Sequence, residues 1–253
     1  MANNKKHPLH LPETWKKPQG DVTLAEVEKF FEEDLQDNIE GGVKITIPTV
    51  RILHQAAQYE FHSSSGDRTE TSFQGILIHQ QHVKGYWRSG SEEIRPDCSS
   101  LDGLKPSPNT ENPLSPICAT CEKNQFGSAE NGSSKGKACK DMIRVHILIN
   151  GGEIPTRLMI PPTSLRRYED YISQLTVEKL PKNAVRTKFA LERKQEGANT
   201  WSLIVLENAG TVTPDEYLLA RSLRDRFIAQ MSQQEIQGHD LDTEPEEDKE
   251  LPF

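Results

Sequence analysis

The sequence predicts a mainly β fold with flanking helices, a small barrel interrupted by a long irregular segment. Three observations predict it. Short runs of β-branched and aromatic residues with period-2 alternation recur between residues 43 and 206. Residues 89–140 break that rhythm with Ser, Pro, Gly and Asn, and they hold all four cysteines of the chain. Helix start signals occur at only a few places: ahead of the β-rich stretch, once inside it and once after it.

Residues 1–20, rich in Pro, Lys and His, read as a loose arm. Thr23 and Glu26 then form a capping box, and Leu24, Val27, Phe30, Phe31 and Leu35 recur at helical spacing, which predicts a helix over 23–36. Gly41-Gly42 closes this N-terminal region, 1–42. Val43–Leu53 alternates as a strand with a bend or bulge at Pro48. Gln74–Gln80 and Val83–Arg88 read as two further strands. Ile143–Ile149, a turn at Asn150-Gly151-Gly152, and Ile154–Ile160 form a hairpin. After Pro161-Pro162, residues Ser164–Leu175 place Leu165, Tyr168, Ile172 and Leu175 on one side of a helix. Val185–Leu191 and Trp201–Leu206 are the last strands, joined through Gly197. Thr213-Pro214-Asp215-Glu216 supplies an N-cap, a proline at the first helical position and a capping-box Glu, starting a helix that runs to about Gln233. Five or more strands with a helix before the last hairpin suit an OB-like small barrel. A sandwich or an open α+β sheet gives the same pattern. The domain reading is a body over 43–206 with an insertion at 89–140, a C-terminal helix region at 207–237, and an acidic, disordered tail at 238–253.

Charge is distributed unevenly. The chain of 253 residues has a net charge of -8, which at first sight disfavours a nucleic-acid partner. Residues 44–194, however, carry 21 basic and 16 acidic side chains, whereas the last sixteen residues carry 1 and 7. A basic middle is thus attached to an acidic end. No segment approaches the ~20 apolar residues that span a bilayer. The N-terminal MANNKKHPLHLPETW has no apolar core of a secretory signal, so the expectation is a cytoplasmic, non-membrane protein. Walker-type, GxSxG and HExxH motifs are absent from the sequence. No cluster of carboxylates and histidines offers an open metal or a general base, so no enzyme is expected.

The cysteines are Cys98, the C-x-x-C knuckle Cys118-Ala119-Thr120-Cys121, and Cys139. Their segment has too few apolar residues to build a core. Tetrahedral Zn²⁺ held by four thiolates would supply what burial cannot, so the expected cofactor is a closed, structural zinc. A redox C-x-x-C wants a βαβ setting that the sequence lacks, and four unrelated thiols would not cluster in one polar loop.

Single-stranded nucleic acid is bound by a basic groove together with aromatic faces. Candidate contacts are Lys44, Arg51, Lys84, Tyr86, Trp87, Arg88, Lys135, Lys137, Lys140, Arg144, Arg157, Arg186 and Lys188. Alternation sends Lys84, Tyr86 and Arg88 to one face and Trp87 to the other, where a core role competes with stacking. Lys135, Lys137 and Lys140 lie on a glycine-rich stretch beside a cysteine. They suit phosphate contact or a plain solvated loop. Phe189 and Trp201 read as core, and the histidines, scattered without ligand spacing, as surface or groove residues.

The chain ends Glu244-Pro245-Glu246-Glu247-Asp248-Lys249-Glu250-Leu251-Pro252-Phe253. An apolar ring at a free carboxylate, behind an acidic run, suits an apolar pocket rimmed by basic residues. Asp248–Phe253 resembles the C-terminal tip of bacterial and phage single-stranded-DNA-binding proteins, with Lys249 inside the acidic run and Leu251 where Ile is usual. The body resembles phage and mobile-element members in which a zinc segment is inserted into an OB fold. Cys98, Cys118, Cys121 and Cys139, Lys135–Lys140 and Pro161-Pro162-Thr163-Ser164 carry that likeness. The resemblance implies a non-catalytic protein that coats single-stranded DNA. It also implies recruitment of replication, recombination or repair enzymes through Asp248, Glu250, Leu251, Pro252 and Phe253, with a homo-oligomer compatible. From another class, a zinc-bearing adaptor that binds such proteins without binding DNA remains open.

Overall fold

The computed structural model describes residues 26, 29–30, 47–63, 66–89, 95–129, 136–149, 152, 154–197 and 199–236. Contacts divide the chain into Met1–Thr46 and Ile47–Phe253. In the first unit, Glu26, Lys29 and Phe30 are helical, inside the expected helix. The rest of that helix, the arm and the tail lie outside the described residues.

In the second unit the described strands are β1 (Thr49–Leu53), β2 (Gln58–His62), β3 (Arg68–Glu70), β4 (Ser72–Tyr86), β5 (Cys98–Ser100), β6 (Lys140–Ile149), β7 (Thr156–Ile160), β8 (Val185–Glu196) and β9 (Asn199–Thr211). Helix α1 (Leu165–Val177) lies between β7 and β8, and α2 (Pro214–Gln233) follows β9. The strands form one mainly antiparallel sheet in the order β3-β2-β1-β7-β6-β4-β8-β9, with β5 paired to β4. The pair β1/β7 is parallel. The sheet curls into a half-barrel. Among the described residues no helix is long and apolar enough to cross a membrane.

The inner face carries the core. Val50, Ile52, Tyr59, Phe61, Phe73, Leu77, Val145, Ile147, Leu158, Phe189 and Ile204 meet there, and α1 adds Tyr168, Tyr171 and Leu175. The buried hydroxyls on α1 are satisfied: Tyr168 donates to Gln80 Oε1 at 2.7 Å, and Tyr171 pairs with Thr187 Oγ1 at 2.8 Å. Phe73 stacks on Phe189 with ring centres 4.7 Å apart. Gly75 is required where β4 meets β6, because a Cβ there would lie 2.3 Å from Ile147 Cγ2 and 2.8 Å from the Leu148 carbonyl oxygen.

Several expectations are corrected. The two strands expected at Gln74–Gln80 and Val83–Arg88 are one 15-residue strand, β4, whose register shifts between Leu77 and His79. A bulge adds one residue and flips the alternation, which is why the run reads as two pieces. The strand expected from Val43 begins, among the described residues, after Pro48. Hairpin partner β2 and short β3 were not expected, although Tyr59 and Phe61 alternate with polar neighbours and are buried. The β8/β9 hairpin runs beyond both expected strands and turns at Gly197, φ +60°. The β6/β7 hairpin, α1 and α2 form as expected, and α2 has its capping box on Thr213 and Glu216.

Candidate nucleic-acid interface and cysteine cluster

The end of β4, strand β5 and the start of β6 bring the cysteines together. Cys98 pairs with Tyr86 in the β4/β5 ladder, and Cys139 immediately precedes β6. Between them the knuckle is a 3-10 turn, Cys118–Thr120, followed by a second one at Glu122–Asn124. The Cys121 amide donates to the Cys118 carbonyl at 3.3 Å, Asn124 Nδ2 to the same carbonyl at 2.8 Å, and the Cys139 amide to the Lys123 carbonyl at 2.8 Å. All four cysteines are free thiols and line one cavity with Lys84, Tyr86 and Lys123. Burial pushes the Cys139 thiol up to about 12, relieved by nearby Lys84 and reinforced by the other three cysteines. The Cys98 thiol is raised by the same burial and by Cys118 and Cys121. The four sulfurs therefore share one electrostatic environment. The donor set, four soft thiols and no carboxylate, fits zinc, and a bound dication would reverse these shifts. As placed, no three His, Cys, Asp or Glu side chains among the described residues stand in an arrangement that could hold a metal ion.

The cations around this cluster are paired. Lys84 and Lys137 both bind Asp141, Lys137 at 2.9 Å. Lys140 Nζ donates to the Lys137 carbonyl at 3.2 Å. Lys137 also lies 4.8 Å from the centre of the Phe126 ring, which is 80% exposed. Sequence reasoning missed Phe126; an aromatic ring in a loop too polar to bury it was the available signal. Tyr86, expected as a stacking face, is buried beneath Lys123 and lines the cavity. Arg88 is exposed and bound to Asp97 at 2.9 Å. Arg186 pairs with Glu216, and Lys188 with Glu207 at 3.0 Å. Lys44, Lys135, Asp248, Glu250, Leu251, Pro252 and Phe253 lie outside the described residues.

A second group sits on the outer face of the sheet. The cross-strand pairs His79↔His146, Gln81↔Arg144 and His146↔Arg157 place five polar side chains side by side on β4, β6 and β7, and Arg51 of β1 shares the face. Arg144 and His146 are fully buried and Arg157 is 6% exposed, so these arginines do not line an open groove as expected. The end of α2 and the residues after it cover them. Arg144 Nη1 reaches the Met231 carbonyl and Arg157 Nη1 the Glu235 carbonyl, each at 3.5 Å. His146 Nε2 donates to Gln234 Oε1 at 2.9 Å, and Gln81 Nε2 to the Ser232 carbonyl at 3.1 Å. Beside the stripe, Val83, Met142 and Met159 form an apolar patch closed by Ile236, with Trp87 against it. The Trp87 ring folds back over Gly85, where an added Cβ would come within 2.5 Å of it.

The histidines on this face are the residues sequence reasoning placed least well. Their rings are 5.6 Å apart, and only strand register brings them together. Burial pushes His146 down to about 3, against the Gln234 hydrogen bond that raises it, with Arg144, His79 and Arg157 lowering it further. His79 is lowered by burial and by Lys182, Arg144 and Arg224.

No family model matches the chain, and neither a curated protein nor a solved structure matches it.

Proposed function

We propose that this is a non-catalytic single-stranded-DNA-binding protein with an OB-like body. In this reading β4, β6, β7, β8 and β9 are the five barrel strands. The long bulged first strand pairs with both the second (β6) and the fourth (β8), and helix α1 comes between the third and fourth. The hairpin β1/β2 extends the sheet beyond the third strand, and its turn is bound to the fifth through His54 and Ser202. The cysteine segment then occupies the loop between the first two barrel strands, one of the loops with which OB folds hold oligonucleotides. The observation that carries the reading is the row Arg144, His146 and Arg157 on the second and third of those strands, the face on which OB folds take a single strand. A structural zinc on Cys98, Cys118, Cys121 and Cys139 would fix the loop, and the acidic tip would recruit replication, recombination or repair enzymes. The test is binding to oligo(dT) and to duplex DNA over a range of salt: a preference for the single strand, weakening with salt, supports the reading.

One observation favours the adaptor. Lys84, Lys137, Arg88, Arg186 and Lys188 are bound to carboxylates of this same chain. Paired cations contribute less to phosphate binding. Partner binding through the tip with no salt-dependent affinity for DNA would select the adaptor.

A further inference from the structure

We propose that Met231–Ile236 is a displaceable strap that closes the single-strand site on the outer face of β4, β6 and β7, and that its release exposes Trp87 as a stacking surface. The inference rests on the single-strand reading and adds the gate.

The first support is what the strap leaves unsatisfied. Arg51 Nε, His79 Nε2, Gln81 Oε1, Trp87 Nε1 and His146 Nδ1 are buried without a hydrogen-bond partner among the described residues. All belong to this face or its rim, and the described residues hold no such atom elsewhere on the fold. Buried polar atoms are nearly always paired, so a face that gathers them is fitted to something other than its present cover. The second support is the kind of group the strap itself offers, neutral carbonyls. The strap meets two buried guanidinium groups through carbonyl oxygens at 3.5 Å, the outer limit of a hydrogen bond. Phosphate oxygens bind guanidinium in closer, charge-assisted pairs. The third support is the neighbourhood. The strap's apolar hold is Met231, which is fully buried, and Ile236 on Val83, Met142 and Met159, with Trp87 alongside. Lifting Ile236 uncovers an indole next to two arginines and two histidines, the combination of stacking face and cations that single strands require. The strap is also short and belongs to no strand. It is the last turn of α2 and three residues beyond, so it can peel away without unpairing a strand. A closed cover lowers apparent affinity by the fraction of time the face is open.

The experiment compares full-length wild type with I236D, using fluorescein-labelled oligo(dT). Burying a carboxylate on the Val83–Met159 patch loosens the strap, and we expect oligo(dT) to bind about tenfold tighter. Hydrogen exchange on the wild type gives a second measurement that does not depend on the variant folding. Amides of 231–236 should exchange faster when oligo(dT) is bound. If wild type binds oligo(dT) while I236D binds no tighter, or if 231–236 stays equally or better protected on binding, the strap is overturned and the single-strand reading stands. If neither protein binds oligo(dT), the single-strand reading itself fails.

Discussion

Tyr59 on β2 donates its hydroxyl to the carbonyl of Ala190 on β8 at 3.1 Å, although β1, β7, β6 and β4 lie between those strands in the sheet. A flat sheet would hold β2 and β8 more than 20 Å apart at ~4.8 Å per strand. The curl is therefore held by a fully buried hydroxyl, which burial keeps protonated. A second tie joins the β1/β2 turn to β9: the Ser202 amide donates to His54 Nδ1 at 3.0 Å and its hydroxyl to the His54 carbonyl at 2.8 Å.

Tyr59→Phe removes the first tie while keeping the ring against Phe73, 4.9 Å away. The expected loss is about 1–2 kcal/mol, the value of one buried hydrogen bond with its acceptor left behind. Urea unfolding checks it, with the midpoint falling and the slope unchanged.

Much of this fold is legible in the sequence, for local reasons. The capping box at Thr213, the proline pair before α1 and the turn after Ile149 each act within a few residues. The merged strand β4 is not legible, because its bulge is created by pairing with β6. The same holds for the site. The four cysteines announce themselves by spacing. The outer stripe joins His79 to His146 and Arg144 to Met231 across the chain, and no window of sequence contains such a pair. The burial of Arg144 is hidden for a further reason: β6 reads as a strand with one face in water, while α2 covers that face.

His146 makes stability depend on pH. Its folded value near 3 lies below the ordinary 6.5, so the unfolded chain binds the extra proton between those values. Its contribution is complete above about pH 6.5 and drains as pH falls toward 3. Among the described residues, Arg144, His79 and Arg157 on the sheet, Gln234 on the strap, and Arg224 and Lys182 near His79 are the groups that act on the pair. His146→Gln should reduce the stability lost between pH 6.5 and 5 by about 1–2 kcal/mol. Thermal melts of wild type and variant across that range measure the difference.

The zinc proposal predicts about one zinc per chain in purified protein. Cys118→Ser or Cys139→Ser should release it. Chelation should increase proteolysis within 98–139 while the sheet signal in circular dichroism persists, because the core residues on β1, β4, β6, β7 and β8 lie outside that segment. Metal analysis and limited proteolysis check both statements.

The tail proposal predicts that deleting 238–253 abolishes recruitment of partner enzymes and tightens binding to single-stranded DNA. Seven acidic side chains linked to the body compete with phosphate at a high effective concentration. Titration of the truncated and full-length chains with oligo(dT), alongside a pull-down of repair and replication proteins, reads both effects.

Affinity for oligo(dT) against a duplex of equal length, measured from low to physiological salt, tests the central claim most directly. The account predicts tighter binding to the single strand, with the logarithm of affinity falling linearly against that of salt by roughly 0.7 per phosphate neutralised. Equal binding to the two forms, or no binding at low salt, would contradict it.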